Sequence, residues 1–255
     1  MTLMLLAIDI GNTNIVLGVH DGTNWRYDWR VQTLHDRMPD EYAVLFRTLF
    51  EDAELSFADF DKAIISSVVP QLTLNLKEMI ETRTQAPVLI LGSHLDLGIK
   101  IQTDHPDRVG SDLIADAVAA YKHFGENCIV VDFGTATTFT AIAHPGVMLG
   151  TAIAAGLNVT MSALVSRTAQ LPYIELTPPS SVIGKNTIHS MQAGLLLGYV
   201  AMLEGLIDRM RAELGTAKVA ATGGLARFIA PLTNHFDVVD PRLTLEGLRL
   251  LAERN

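Results

Sequence analysis

Two stretches of this chain, 123 residues apart, carry one pattern: Ala7-Ile8-Asp9-Ile10-Gly11-Asn12-Thr13-Asn14 and Val130-Val131-Asp132-Phe133-Gly134-Thr135-Ala136-Thr137. Each is an apolar run, an acid, one more apolar residue, a glycine, and then mostly small hydroxyl or amide side chains. An apolar run that ends this way reads as a buried strand entering a tight turn. Glycine in the turn lets the backbone approach a ligand closely. The amides and hydroxyls that follow suit phosphate oxygens, and the acid suits a cation bound to those oxygens. Two such turns facing each other across a cleft would clamp the phosphates of a nucleotide.

The segments after each copy keep the same order. Leu3–Ile10, Ile15–His20 and Trp25–Gln32 read as strands, and Asp40–Glu51 as an amphipathic helix with Tyr42, Leu45, Phe46 and Leu49 on one face. Lys62–Val69 is a buried strand, Leu72–Thr82 a helix, Pro87–Leu91 a strand and Ser111–His123 a helix. The order then restarts with strands at Asn127–Phe133, Thr138–Ala143 and near Val147–Ala152, and a helix at Val159–Arg167. Thr187–Leu214 reads as two helices or one broken near Gly198. Lys218–Thr222 is a late strand, Leu225–Ile229 a short helical start and Leu243–Glu253 a closing helix. Strands and helices in a repeated order predict an α/β fold built by duplication. With the turn at Phe124-Gly125-Glu126-Asn127 as linker, the expected domains are residues 1–123 and 124–255.

Composition narrows the partners. Hydrophobic residues make up 49% and charged residues 18%, a globular profile. The net charge of −9, with no Lys/Arg cluster, argues against nucleic-acid or anionic-membrane partners. No uninterrupted apolar run reaches the ~20 residues of a bilayer crossing, and Met4–Ile10 is too short for a signal core. The single Cys128 excludes an internal disulfide and fits a reducing cytoplasm. Met191, Met202 and Met210 read as core or interface filler. There is no His-Glu-x-x-His, Cys-x-x-Cys, Gly-x-Ser-x-Gly or Gly-x-Gly-x-x-Gly. Gly184-Lys185 lacks the upstream glycine of a phosphate-binding P-loop, and Asp132-Phe133-Gly134 lacks the His-Arg-Asp loop of a protein kinase.

The repeated layout resembles the actin, Hsp70 and sugar-kinase superfamily, in which paired ribonuclease-H-like domains close on ATP. Six motifs in register narrow the resemblance: Asp9 to Asn14, Gly110-Ser111-Asp112, Asp132 to Thr138, Ile183-Gly184-Lys185-Asn186-Thr187, Ala221-Thr222-Gly223-Gly224-Leu225-Ala226 and Leu243 to Leu248. Together they are similar to type III pantothenate kinase, the Bvg accessory factor family, along nearly the whole chain. The resemblance implies transfer of the ATP γ-phosphate to the terminal hydroxyl of pantothenate, at the start of coenzyme A synthesis. It implies ATP contacts at Asp9, Gly11, Asn12, Thr13, Asn14, Gly134, Thr135, Thr222, Gly223 and Gly224. Asp9 would organise Mg²⁺, and Asp132 would hold K⁺ or NH₄⁺. Acceptor contacts would come from Thr103, Gly110, Ser111, Asp112, Leu113 and Thr187, with Asp112 as base. The family also implies a homodimer, here expected through second-half helices.

Simpler roles exist for several of these residues. Asp9 and Asp132 could close turns on their own backbones. Asp112 could cap its helix, with Asp116 a rival acid one turn on, and Thr187 could cap the helix it precedes. The acceptor region also departs from the family pattern. Leu113 stands where an arginine is usual, Thr103-Asp104-His105 precedes Pro106 in place of a Tyr and Asn pairing, Thr140 replaces an aspartate, and Thr151 and Ala155 alter a Gly-Gly-x-Ile-x-Pro-Gly segment. Loss of an arginine removes a charge-assisted contact of ~1.5–3 kcal/mol, for which Arg108 or Arg167 could substitute. Three functions fit: pantothenate kinase with a modified pocket, a related small-molecule kinase with another acceptor, and a non-catalytic nucleotide-binding regulator.

Overall fold

The computed structural model describes residues 3–255, which fall into two compact units. The first unit begins with β1 (Leu5–Ile10), β2 (Asn14–His20) and β3 (Trp25–Gln32). It continues with α1 (Pro39–Asp52), β4 (Lys62–Ser67), α2 (Pro70–Glu81), β5 (Val88–Ile90), β6 (Lys100–Ile101) and α3 (Ser111–Phe124). The second holds β7 (Cys128–Phe133), β8 (Ala136–Ala143), β9 (Val147–Ala155), α4 (Leu157–Ser166) and α5 (Thr187–Gln192). A π-helical turn over Ala193–Leu197 leads into α6 (Gly198–Leu214), then β10 (Lys218–Gly223), α7 (Ala226–Ile229) and β11 (Val238–Val239). The chain closes with α8 (Leu243–Arg254).

The duplication read from two motifs is a duplication of topology. Five strands of the first unit lie in the order β3-β2-β1-β4-β5 and five of the second in the order β9-β8-β7-β10-β11. In each unit the motif-bearing strand is central, antiparallel to the strand after it and parallel to a later one. A central strand is buried on both faces, so its sequence is continuously apolar rather than alternating. Accordingly Leu6, Ile8 and Ile10 of β1 enter one core cluster, while Leu5 and Ala7 enter another. Edge strand β3 alternates instead: Trp25, Tyr27, Trp29 and Val31 turn inward between exposed Arg26, Asp28, Arg30 and Gln32. Trp29 meets Phe50 of α1 at a ring separation of 5.8 Å. That helix starts on Pro39, and the Met38 N–H donates to the Glu41 carboxylate at 2.8 Å, a reciprocal cap of its first turn.

The closing helix corrects the boundary expected at 124–255: Leu243–Asn255 groups with the residues up to Lys122, and the second unit is His123–Arg242. Leu245, Leu248, Leu251 and Ala252 of α8 are buried against Leu5, Ala7 and Ile64 of the sheet and Ile114, Ala115 and Val118 of α3. Gly247 makes this possible, because a side chain there would overlap the Ala115 carbonyl. Trp25 Nε1 donates to Glu246 at 3.1 Å and Lys62 Nζ to the Ala252 carbonyl at 2.8 Å. The apolar stripe of α8 therefore covers the sheet face that α1 and α2 leave open, a choice its own sequence does not encode.

Thr187–Leu214 is neither two separate helices nor broken at Gly198: it is one helical run with a π-helical turn over Ala193–Leu197. Against the expectation that no stretch reaches spanning length, this continuous helical run is long and apolar enough to cross a bilayer by length and composition alone. Its inner face is core: Leu195, Leu196, Tyr199, Val200, Leu203 and Ile207 pack with Ile129, Val131 and Val219 of the second sheet. Met191 is buried there too, with Met202 and Met210 packed at its margin. Cys128 is also buried, which pushes its thiol up to about 12 and leaves it inert at neutral pH.

Candidate active site

The first motif forms a tight turn between β1 and β2. The Gly11 N–H donates to the Asn14 carbonyl at 2.9 Å, and Asn12 and Thr13 are exposed at the tip. From β3's end, Thr33 straps this turn: its hydroxyl donates to the Gly11 carbonyl at 2.7 Å and its N–H to the Thr13 carbonyl at 2.9 Å. The turn is thus held from behind while its tip stays available. Asp9 sits one pleat before it, opposite Ser66 of β4 in the parallel register, and accepts the Ser66 hydroxyl at 2.8 Å.

In the second unit the equivalent turn is tighter by one residue, with the Gly134 N–H donating to the Ala136 carbonyl at 3.0 Å. Gly134 and Thr135 are exposed at its tip. Three more glycines crowd it. Gly156, just before α4, donates to the Thr135 carbonyl at 3.1 Å, and a side chain there would come within 2.6 Å of the Gly134 carbonyl. Gly224 donates to the Phe133 carbonyl at 3.1 Å. Gly223 has φ +87°, and a side chain on it would lie 2.6 Å from the Phe133 nitrogen and overlap an Asp132 carboxylate oxygen. Thr222 pairs with Asp132 in register and is buried. The backbone is thereby opened around Asp132, leaving a small cradle that a Cβ would fill.

The acceptor motif opens α3. Gly110 provides room for the acid after it, since a Cβ there would approach Asp112 Oδ1 at 2.5 Å. Asp112 Oδ1 accepts the Leu113 N–H at 2.8 Å, and burial raises its carboxyl above the ordinary aspartate range despite that bond. A desolvated carboxyl of raised pKa suits proton acceptance better than a solvated one. The rival Asp116 is a different kind of residue: it is 1% exposed and accepts the Thr244 hydroxyl at 2.7 Å, tying α3 to α8. Leu113 is half-buried and His105 exposed, and the Thr103 hydroxyl is buried with no hydrogen-bond partner among the described residues.

Thr187 begins α5, but its capping residue is Asn186, whose side-chain oxygen accepts the His189 N–H at 2.9 Å. Freed from capping, Thr187 lines a concavity of about 750 Å³ with Leu164, Leu171, Lys185, Met191 and Leu195. Thr140, by contrast, is an interior residue of β8, buried and paired with Thr151. Ala155 ends β9 exposed, and Arg108 and Arg167 are exposed as well.

Among the described residues no group of three or more His, Cys, Asp or Glu could hold a metal ion. The donor set suits Mg²⁺ carried on phosphates with one protein carboxylate, rather than a protein cage. Residues the sequence reading did not single out are Thr33, Gly156 and the Ser66-Ser67 pair ending β4. The last pair gains its meaning from strand register: Ser66-Ser67 of β4 stands beside β1 where Thr222-Gly223 of β10 stands beside β7.

A family model described as type III pantothenate kinase matches residues 5–209. A type III pantothenate kinase of Brevibacillus brevis is 47% identical over 253 residues, covering 99% of this chain and 99% of that protein. Among solved structures, a Baf-family protein of Campylobacter jejuni aligns with a TM-score of 0.61 at 18% identity, over 97% of each chain. MreB 5 of Spiroplasma citri, solved with AMPPNP, aligns at a TM-score of 0.58 and 11% identity, over 99% of this chain and 97% of that one. These two likenesses show the fold alone, an actin-like α/β one.

Proposed function

Because the chain belongs to the type III pantothenate kinase family, we propose that it transfers the γ-phosphate of ATP to the terminal hydroxyl of pantothenate, giving 4′-phosphopantothenate for coenzyme A synthesis. The observation that carries this reading is the desolvated Asp112 carboxylate at the start of α3, in the same unit as a complete phosphate turn. Phosphoryl transfer needs an aligned nucleophile, neutralised phosphate oxygens and exclusion of water. Asp112 orients the acceptor hydroxyl and takes its proton as the bond to phosphorus forms, a contribution of about 10²–10⁴-fold. Backbone N–H groups and side chains at Gly11, Asn12, Thr13 and Asn14 hold phosphate oxygens, as do Gly134 and Thr135. Asp9 would hold Mg²⁺, which would neutralise charge on those oxygens. Thr222, Gly223 and Gly224 form the adenosine-side floor, where the lack of side chains on the two glycines permits close packing.

K⁺ or NH₄⁺ is assigned to Asp132, supported by the cradle that Gly223 leaves beside its carboxylate. Thr187 and its concavity, lined by apolar Leu164, Leu171, Met191 and Leu195 together with Lys185 and Asn186, fit a small amphipathic acid such as pantothenate. In the first unit, Gly110, Ser111, Leu113 and Thr103 are the proposed acceptor contacts; the Thr103 hydroxyl is buried there without a hydrogen-bond partner among the described residues. Leu113 in place of arginine weakens the hold on a carboxylate and keeps a second reading open, a kinase for a related alcohol. A homodimer is proposed through the second unit, where Ile153, Tyr173, Val182, Ile183 and Ile188 are exposed, the most open being Ile183 at 79%. This surface lies on β9, α5 and the segment before it rather than on α6, whose apolar face is already buried. The acidic net charge of −9 supports a cytoplasmic enzyme that engages neither nucleic acid nor membrane.

The test is ADP release with ATP, Mg²⁺, K⁺ and pantothenate, with mass spectrometry for phosphopantothenate. Turnover that requires pantothenate supports the reading. ATP hydrolysis or binding indifferent to pantothenate overturns it in favour of another acceptor or a regulatory role. Sedimentation showing only monomers at micromolar concentration would remove the dimer.

A further inference from the structure

A chain of buried serine hydroxyls runs from the first residue of α3, next to Asp112, to the Asp9 carboxylate. Ser66 is fully buried and Ser111 is 8% exposed. The Ser67 N–H donates to Ser111 Oγ at 2.8 Å, the two hydroxyl oxygens Ser111 Oγ and Ser66 Oγ are 2.9 Å apart, and Ser66 Oγ donates to Asp9 Oδ1 at 2.8 Å. Proton counting fixes the direction. Each hydroxyl has one proton, and an ionised carboxylate only accepts. The Ser66 proton therefore goes to Asp9, and the contact between the two serines is made by the Ser111 proton. A second acceptor for that proton, the Ser67 carbonyl, lies farther away at 3.1 Å. Taken in that direction the three bonds run toward Asp9, so each polarises the next.

Ser111 is also the first residue of α3, directly before Asp112. The hydroxyl that feeds the Asp9 carboxylate thus pins the turn that carries Asp112 onto the end of β4. In the second unit, Thr222 occupies the register position of Ser66 opposite Asp132, but Gly223 occupies that of Ser67. One copy uses the strand end to anchor a helix, the other to admit a close backbone approach. We propose that Ser66 and Ser111 are positioning residues that hold Asp9 and Asp112 in one rigid frame, so that the metal-organising acid and the base keep a fixed relation. This rests on the roles given above to Asp9 and Asp112.

The test uses the full-length protein and ADP as probe, titrated calorimetrically with Mg²⁺ and with EDTA, beside kcat and KM for pantothenate. Ser66→Ala is expected to reduce the Mg²⁺-dependent gain in ADP affinity about tenfold, the usual worth of a hydrogen bond to a charged group. Ser111→Ala should reduce it severalfold and lower kcat more than it raises KM, while affinity in EDTA stays within about twofold for both. Ser111→Thr, which keeps the hydroxyl, should recover most of the loss. The double variant should be no worse than Ser66→Ala, because breaking one link already breaks the chain, whereas independent packing defects would multiply. An unchanged Mg²⁺ gain in both single variants, or effects that multiply in the double, would overturn the proposal. Asp9→Ala separates the two levels. If it abolishes the gain while the serine variants keep it, the kinase reading stands and the serine chain is structural only. A parent protein without any Mg²⁺ gain refutes the Asp9 assignment itself.

Discussion

Gly223→Ala isolates the second phosphate turn, and the chain supplies its own control. Gly223 and Gly215 both lie in the left-handed region, at φ +87° and +81°, but they differ in surroundings. A Cβ at Gly215 meets nothing within 4 Å, while one at Gly223 would lie 2.6 Å and 2.7 Å from the Phe133 nitrogen and oxygen. Both substitutions place a side chain at positive φ, a backbone penalty of about 1–3 kcal/mol. Only Gly223→Ala adds overpacking against backbone, worth about 1–3 kcal/mol. Phe133 cannot yield by a rotamer change, because its strand is central and its carbonyl already accepts the Gly224 N–H. Gly223→Ala should therefore lower stability by about 1–3 kcal/mol more than Gly215→Ala, a difference of several degrees in melting temperature for a chain this size. Thermal unfolding followed by circular dichroism reads both, and calorimetry with ADP reads the consequence at the site. Gly223→Ala should lose nucleotide affinity by at least about tenfold, and Gly215→Ala should keep it. Equal melting shifts in the two variants, or unchanged nucleotide binding in Gly223→Ala, would refute the close approach at Asp132.

Three further outcomes are expected. Asp112→Asn should lower kcat by about 10²–10⁴-fold with little change in KM for ATP. Since burial raises this carboxyl and the base must be ionised, kcat/KM should fall on acidification at a pH above the ordinary aspartate range. A raised carboxyl pKa means that the folded state holds the proton more tightly, so stability declines as pH rises through that window; Asp112→Asn should melt higher than the parent at neutral pH, and a lower melting point would contradict the desolvation. Thr244→Val removes the hydroxyl bonded to buried Asp116 and should cost about 1–3 kcal/mol, read by denaturant unfolding; no loss would mean that the α3–α8 link carries no stability. Asp132→Ala should abolish the stimulation of activity by K⁺, and full activity in sodium buffer would refute the cation assignment.

Much of the fold was legible because the decisive signals are local. A central strand must be apolar on both faces, a turn that admits phosphate must have glycine and small polar residues, and an amphipathic helix must repeat its apolar positions. Asp9, Asp132 and Asp112 stood out for that reason. Residues defined by a neighbour distant in sequence did not. Gly156 matters because of Thr135, Ser66 because of Asp9, and Asp116 was separated from Asp112 only by the Thr244 hydroxyl.

The sequence by itself determined the duplicated α/β units, the two glycine turns after Asp9 and Asp132 and the acid that opens α3, since hydrophobic period, glycine placement and motif order are properties of contiguous residues. Tertiary structure alone decided that α8 packs on the first unit, that Asn186 rather than Thr187 caps α5, and that Ser66 and Ser111 tie the start of α3 to Asp9. Those outcomes depend on which surfaces meet. An apolar stripe or a hydroxyl specifies what it needs to contact but not where in the chain its partner lies.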